Sequence, residues 1–275
     1  MQTKKILAKT AIVLSLCAFC GSVFAAPVAK TLTKNEELYP QGWSVGDQIK
    51  FKKGTTASLN DNGAVVSGVL ASDTYLRPQG WQRIINDYYF VSAYTNRSPF
   101  FPRYYRYWNN NSTYNIALSS YGHIRYKGGT AVTFSEQGTV LSGTIADETT
   151  IGLGENEYGF VAFKSGTALD FYDNGAVKMG TLAEDTKLRP VGWQNNAIDM
   201  ENAGFVEFKA KSTVSLTPAG EVTSCTTKEA LKWKNNGLEI ELPANTVINF
   251  SEQGAVAVTR SEERRVGKEC RSRWS

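Results

Sequence analysis

The chain is poor in the two residue types that most often carry chemistry, with four cysteines and one histidine in 275 residues. Cys17 and Cys20 lie in a leader-like N-terminus, Cys270 lies in an anomalous C-terminal stretch, and Cys225 stands alone. One remaining thiol excludes an internal disulfide framework and a cysteine-based metal site. His123 by itself argues against a His-ligated zinc centre and leaves little for Ser-His or Cys-His activation of a nucleophile. Both residues read as packing or surface positions, and no cofactor is expected. Long apolar runs are also scarce. The run from Ala11 to Phe19 is too short to cross a bilayer.

The two ends differ from the rest. Met1 to Ala25 has the layout of a secretory signal: Lys4, Lys5 and Lys9, then the apolar run, then Val23-Phe24-Ala25 as a cleavage pattern. Cutting after Ala25 is favoured, because cutting after Ala26 would leave Pro27 immediately past the cut. Cys17 and Cys20 follow Leu16 and Phe19, where a lipoprotein box has a small residue, so lipid anchoring is not expected. The protein is therefore expected to be exported to the periplasm, cell surface or exterior. Arg260 to Ser275, RSEERRVGKECRSRWS, matches residue for residue the conceptual translation of a widely used sequencing adapter. It is expected to be an artefactual tail, with the natural protein running on past Thr259. The whole sequence carries a net charge of +4. Setting aside the leader's three lysines and the tail's six basic and three acidic residues leaves 21 basic and 23 acidic, a net of −2. The basic balance thus belongs to the ends. Neither a nucleic-acid nor a membrane-surface partner is expected, nor a transmembrane segment after leader removal.

What is present is a repeat. Five short turns line up: Asn60-Asp61-Asn62-Gly63, Ser135-Glu136-Gln137-Gly138, Tyr172-Asp173-Asn174-Gly175, Thr217-Pro218-Ala219-Gly220 and Ser251-Glu252-Gln253-Gly254. A large apolar residue precedes each (Leu59, Phe134, Phe171, Leu216, Phe250), and a valine follows each glycine by two places (Val65, Val140, Val177, Val222, Val256). That is a β-hairpin pattern, closed by a type I turn whose last residue takes positive φ, which glycine adopts without strain. Alternating stretches such as Val161-Ala162-Phe163 and Val206-Glu207-Phe208 read as half-buried strands. Gly68, Gly143 and Gly180 recur downstream, with Cys225 at the same place in the fourth copy, a structural substitution rather than a reactive thiol. Successive turn glycines are 75, 37, 45 and 34 residues apart. The expected fold class is all-β, an elongated antiparallel hairpin-repeat array of meander or solenoid type over 26–259, with a period of about 34–45 residues. The 75-residue interval holds either a cryptic repeat or an insertion across 81–123.

The hairpin core Phe171-Tyr172-Asp173-Asn174-Gly175-Ala176-Val177-Lys178-Met179-Gly180 resembles MORN-type repeat variants, in which an aromatic-x-Asn-Gly-x-aliphatic-x-x-Gly hairpin stacks side by side. The likeness covers about a dozen residues per unit and departs from that family in period and in lacking a tryptophan within the hairpin. It implies an antiparallel hairpin ladder used as a scaffold or binding surface.

Two other features interrupt the repeat. Pro40-Gln41-Gly42-Trp43, Pro78-Gln79-Gly80-Trp81 and Pro190-Val191-Gly192-Trp193 pair a tight-turn signal with a tryptophan. Trp43, Trp81 and Trp193 are either platforms for sugar rings or corner plugs over each unit's apolar edge. Tyr88 to Trp108 holds ten aromatics in 21 residues, among them Tyr88, Tyr89, Tyr94, Phe100, Phe101, Tyr104, Tyr105, Tyr107 and Trp108, with Arg103 and Arg106 interleaved. It reads as core filling from a decayed repeat or flap, or as an exposed surface for a glycan or an envelope protein partner. Asn96 and Asn111 sit in glycosylation-acceptor triplets, a pattern that also arises by chance.

An enzymatic reading rests on Asp73, Asp147 and Asp185, with Glu136, Asp173 and Glu252 in the hairpin turns, as carboxylates of a carbohydrate-active hydrolase. Their recurrence along a ladder speaks against it, since one active site needs no copies, and local turn chemistry accounts for Asp and Asn there. The expectation is an exported structural or binding repeat protein, not an enzyme, with the hydrolase as the alternative.

Overall fold

The computed structural model describes residues 27–44, 46–84, 122–153, 160–198, 204–235 and 237–258. Residues 1–26, the segment Tyr88 to Trp108 and residues 259–275 lie outside these. The fold is almost entirely β and built from five copies of a four-strand unit. An initial strand, β1 (Val28–Thr31), precedes them. The first unit is β2 (Glu36–Leu38), β3 (Ile49–Phe51), β4 (Thr56–Leu59) and β5 (Val65–Val69). The second is β6 (Thr74–Leu76), β7 (Ile124–Tyr126), β8 (Ala131–Phe134) and β9 (Val140–Thr144). The third is β10 (Thr149–Gly152), β11 (Phe160–Phe163), β12 (Ala168–Phe171) and β13 (Val177–Thr181). The fourth is β14 (Thr186–Leu188), β15 (Val206–Phe208), β16 (Thr213–Leu216) and β17 (Val222–Thr226), with the short helix α1 (Trp193–Asn196) between β14 and β15. The fifth is β18 (Leu231–Asn235), β19 (Leu238–Leu242), β20 (Val247–Phe250) and β21 (Val256–Val258).

The last two strands of every unit join β1 in one open antiparallel sheet of eleven strands, in the order β1-β4-β5-β8-β9-β12-β13-β16-β17-β20-β21. The first two strands of each unit pair with each other, forming five separate two-stranded ladders. These pack as a second layer over one face of the large sheet. Alternation explains which face: Ala131 to Phe134 runs exposed, buried, intermediate, buried, and β12, β16 and β20 repeat that pattern. Phe51, Phe134, Phe163 and Phe208 are fully buried between the layers, each contributing about 1.5–3 kcal/mol through removal of apolar surface from water.

All five hairpins of the large sheet close in the same way. The first turn residue donates its N–H to the carbonyl four residues on, from Asn60, Ser135, Tyr172, Thr217 and Ser251, at 2.8 to 2.9 Å. The turn glycines all have positive φ, from 74° at Gly63 to 91° at Gly220, as their spacing predicts. In four copies the oxygen of the first turn side chain accepts from the fifth residue's N–H: Asn60 from Ala64, Ser135 from Thr139, Thr217 from Glu221 and Ser251 from Ala255. Tyr172 has no side-chain oxygen within that reach, and Asn174 Oδ1 takes the N–H of Ala176 instead, at 3.1 Å.

The layers are joined where the large sheet bends over. Phe51 bridges Leu70, Tyr126 bridges Ile145, Phe163 bridges Leu182 and Phe208 bridges Thr227. In the first three units the aromatic ring packs against the glycine two places before the bridged residue. A Cβ on Gly68, Gly143 or Gly180 would stand 2.8, 2.6 or 2.5 Å from the ring of Phe51, Tyr126 or Phe163. Cys225 occupies this place in the fourth unit, fully buried, its Sγ 3.3 Å from Ser212 Oγ. Burial pushes its thiol pKa up to about 11, so it stays protonated and packs as a small apolar group.

The hairpin connections in the large sheet are five residues long in every unit (60–64, 135–139, 172–176, 217–221 and 251–255). Those between the paired second-layer strands have 10, 47, 7, 17 and 2 residues, from the first unit to the fifth. The uneven turn spacing arises there. β5 pairs directly with β8 and β6 directly with β7, so the long interval is extra length in the β6–β7 connection.

Candidate functional site: the clamp loops and the β6–β7 connection

Each Pro-x-Gly-Trp segment begins a second-layer connection, and each does the same local job. Proline fixes φ and glycine turns the chain, with φ of 78°, 75° and 72° at Gly42, Gly80 and Gly192. The proline bridges the valine of its own unit's hairpin: Pro40 to Val65, Pro78 to Val140, Pro190 to Val222. The glycine then lies against the hairpin turn of the next unit. A Cβ on Gly80 would stand 2.6 Å from Gly175 Cα, and one on Gly192 2.7 Å from Gly254 Cα. One on Gly42 would stand 2.4 Å from the backbone N of Gly138. Only glycine against glycine permits this approach.

Side chains complete each clamp. Gln41 Nε2 donates to Phe134 O at 2.7 Å, and Trp43 Nε1 to Gly138 O at 2.7 Å. Gln79 Nε2 donates to Asp173 O, and Asn196 Nδ2 to Gln253 O at 3.1 Å. The same Gly254 carbonyl also accepts, from within the fifth unit, the indole N–H of the fully buried Trp233 of β18 at 2.8 Å. In the first, second and fourth units the motif therefore ties its unit to the hairpin turn of the next.

Trp43, Trp81 and Trp193 are all half-buried. Arg77 lies over the Trp81 ring at 4.2 Å, and Arg189 over Trp193 at 4.1 Å and Phe205 at 4.3 Å. One ring face of Trp81 and of Trp193 is thus already covered by a guanidinium, an attractive arrangement in itself. Trp193 Nε1 is buried with no hydrogen-bond partner among the described residues. On Trp81 and Trp193 a face that a ring could stack on is thus occupied by a side chain of the protein itself.

The recurring carboxylates sit on the opposite long side of the array, and their partners are not local. Asp73 Oδ1 accepts from Gly128 N at 2.8 Å, and Asp185 Oδ1 from Ala210 N at 2.7 Å, each reaching into the following unit. Reading them as residues that bond only their own turn is corrected by these distances; the folded array brings the acceptor to a donor 55 or 25 residues on. Arg125 adds ion pairs to Asp73 at 2.8 Å and Asp147 at 3.5 Å, and Lys228 to Glu207 at 2.7 Å and Asp185 at 3.1 Å. The Ala210 N–H, and then Lys228, hold the Asp185 carboxyl below its ordinary value. Glu207, and then Asp185, raise the Lys228 ammonium. A general acid needs the reverse shift at its carboxyl. Glu136, Asp173 and Glu252 project from exposed turn tips. No group of three or more His, Cys, Asp or Glu that could hold a metal occurs among the described residues.

Of the residues singled out in the sequence, Trp43, Trp81 and Trp193 are therefore placed at the clamps of the first, second and fourth units. Tyr88, Tyr89, Tyr94, Phe100, Phe101, Arg103, Tyr104, Tyr105, Arg106, Tyr107 and Trp108 lie outside the described residues, within the β6–β7 connection, as do Asn96 and Asn111. Gln41, Gln79 and Asn196, which carry clamp hydrogen bonds, escaped notice because a glutamine in a turn has no signature until its distant acceptor is known. No family model, curated protein or solved structure matches the chain.

Proposed function

We propose that the protein is an exported binding or structural repeat protein in which the array serves as a scaffold and the β6–β7 connection carries the recognition surface, for a glycan or a protein of the cell envelope. One observation supports this above others: β6 and β7 pair with each other in register, Thr74 with Tyr126 through Leu76 with Ile124, beneath a connection of 47 residues. A connection that long between two directly paired strands is unusual unless it has a role of its own. Its ten aromatics in 21 residues with interleaved arginine suit a surface apolar on one side and wet on the other. The MORN-like hairpins point to the same use, as units that build surfaces.

The test is excision. Residues 88–108 are replaced by a short Gly-Ser linker, and both proteins are applied to a glycan array and to immobilised envelope fractions. The reading requires ligand capture by the full chain and its loss in the excised chain, with an unchanged circular dichroism spectrum. Equal capture by both chains, or collapse of the fold on excision, rejects it.

A further inference from the structure

Two hairpin turns of the large sheet share the run Asp-Asn-Gly-Ala-Val, as Asp61–Val65 in the first unit and Asp173–Val177 in the third. Their backbones match as well. Gly63 N–H donates to Asn60 O at 2.9 Å and Gly175 N–H to Tyr172 O at 2.8 Å, with φ of 74° and 83°. Asparagine before glycine is the pairing most prone to cyclise, because glycine has no side chain to hinder its own nitrogen. That nitrogen attacks the asparagine side-chain carbonyl when the turn opens locally. In a third such pair, Asn236-Gly237, the asparagine lies outside the described residues.

The two turns differ in their surroundings. Asn174-Gly175 lies under the clamp of the second unit. Gly175 is buried, and a Cβ on it would stand 2.4 Å from Gly80 Cα. Gln79 Nε2 donates to Asp173 O, and Arg83 Nη2 reaches Gly175 O at 3.5 Å. The Asn174 side chain is engaged too, its Oδ1 accepting from Ala176 N–H. Cyclisation there has to break all of these contacts. Asn62 and Gly63, by contrast, are both exposed. The nearest atom to a Cβ on Gly63 would be Tyr39 Oη, 3.9 Å away. Asn60 Oδ1 holds the N–H groups of Asn62 and Ala64, at 3.1 and 3.0 Å, and leaves the Asn62 side-chain amide untouched.

Tyr39 supplies a second, independent element. Its hydroxyl donates to Asn62 O at 2.7 Å, and that carbonyl belongs to the same peptide group as the Gly63 nitrogen. A hydrogen bond to a carbonyl oxygen draws charge onto it, which acidifies the N–H of that peptide and stabilises negative charge developing there. Among the described residues no donor does the same for Asn174 O. We propose that Asn62-Gly63 is a self-modification site, where Asn62 becomes aspartate and isoaspartate through a succinimide, with Tyr39 as the promoting donor. The Gly63 nitrogen bonds to Asn62 Cγ, the Cγ–Nδ2 bond breaks, and ammonia departs carrying the Gly63 proton. Water then opens the ring. Attack at Cγ restores the original backbone with an aspartate. Attack at the main-chain carbonyl, the one held by Tyr39, leaves the backbone running through Cβ and Cγ. Only the turn has to move, so β4 and β5 stay paired. Either product places one new carboxylate at the turn tip beside Asp61.

Ageing the full folded chain in mildly alkaline buffer tests this, with peptide mapping by mass spectrometry that separates aspartate from isoaspartate. Asn62 is expected to convert at least about ten times faster than Asn174, the ratio that about 1.4 kcal/mol of added opening free energy gives. In urea, where only the shared local sequence remains, the two sites should convert at equal rates. Tyr39→Phe should slow Asn62 several-fold in the folded chain and leave Asn174 unchanged. Gln79→Ala, which loosens the clamp, should speed Asn174 and leave Asn62 unchanged. Equal rates in the folded chain overturn the proposal, as does an Asn62 that persists in the folded chain while converting in urea. Conversion at the parent rate or faster in Tyr39→Phe, the result of a hydroxyl that only pins the turn shut, overturns it as well.

Discussion

The two layers are made by the same five units and have been left with different freedoms. In the large sheet every connection is five residues long, every turn ends in a glycine of positive φ, and strands pair with the units on either side. In the second layer each strand's ladder is with its partner in the same unit, and the connections range from 2 to 47 residues. The outer faces differ too. Across the large sheet a register row runs Ala29, Ser58, Ser67, Thr133, Ser142, Asp170, Met179, Ser215, Ser224, Asn249 and Ala257, nearly free of charge. The second layer instead sets opposite charges across its ladders, as in Glu37–Lys50, Lys187–Glu207 and Lys234–Glu239. A ladder shared between units cannot change in one without disturbing its neighbour. A ladder closed within a unit can carry any insertion at the cost of loop closure, which grows only slowly with length. Variation has collected where pairing is local.

The sharpest way to break this contrast is to touch the shared ladder at a clamp. Gly175 has φ of 83°, and a Cβ there would stand 2.4 Å from Gly80 Cα. Gly175→Ala is expected to cost about 3 kcal/mol, combining left-handed strain with overpacking, read as a lowered urea midpoint. Excision of 88–108 in the second layer, by contrast, should change the stability read from that transition by less than about 1 kcal/mol.

Between the layers, Tyr126 gives an effect of opposite sign. Its equivalents are Phe51, Phe163 and Phe208, and its hydroxyl is buried with no partner among the described residues. Burial also raises its pKa well above the ordinary phenol value. Tyr126→Phe should stabilise the fold by about 1 kcal/mol, since it removes a desolvated hydroxyl and leaves the ring in place.

The smallest effect belongs to the charged ties between units and is visible as a pH dependence. The Asp185 carboxyl is held low in the fold, so its contribution is complete above the unfolded value of about 3.9 and is lost as the pH falls through the folded one. Denaturation midpoints measured from about pH 6 downward should fall less steeply for Asp185→Asn than for the parent chain. Parallel curves would remove Asp185 from the tie.

Much of the large sheet was legible in the sequence because its determinants are local. A glycine at positive φ, an apolar residue before the turn and a valine two places after are all within ten residues of one another. The second layer was hidden for the opposite reason. Nothing near Thr74–Leu76 announces that its partner is Ile124–Tyr126, and β1 belongs to no repeat at all. The clamps were half legible. Pro-x-Gly-Trp showed a turn and a tryptophan, yet the acceptors of Trp43 and Gln41 lie more than ninety residues further on. Asp73 and Asp185 were legible as recurring positions, not as bridges, since their donors belong to the next unit.

The turn that precedes β4, β8 and β12 is closed by Gly54, Gly129 and Gly166, all at positive φ. In the fourth and fifth units the same place is held by Lys211 at φ 62° and Asn245 at φ 58°. A side chain there costs about 1–2 kcal/mol for an ordinary residue and less for asparagine, and in a linear array that cost stays in the unit that bears it. The molecule thus has a grain. Opening fluctuations should start at the C-terminal end and run toward the N-terminus, so that the long β6–β7 connection stands on the part of the array that is last to let go.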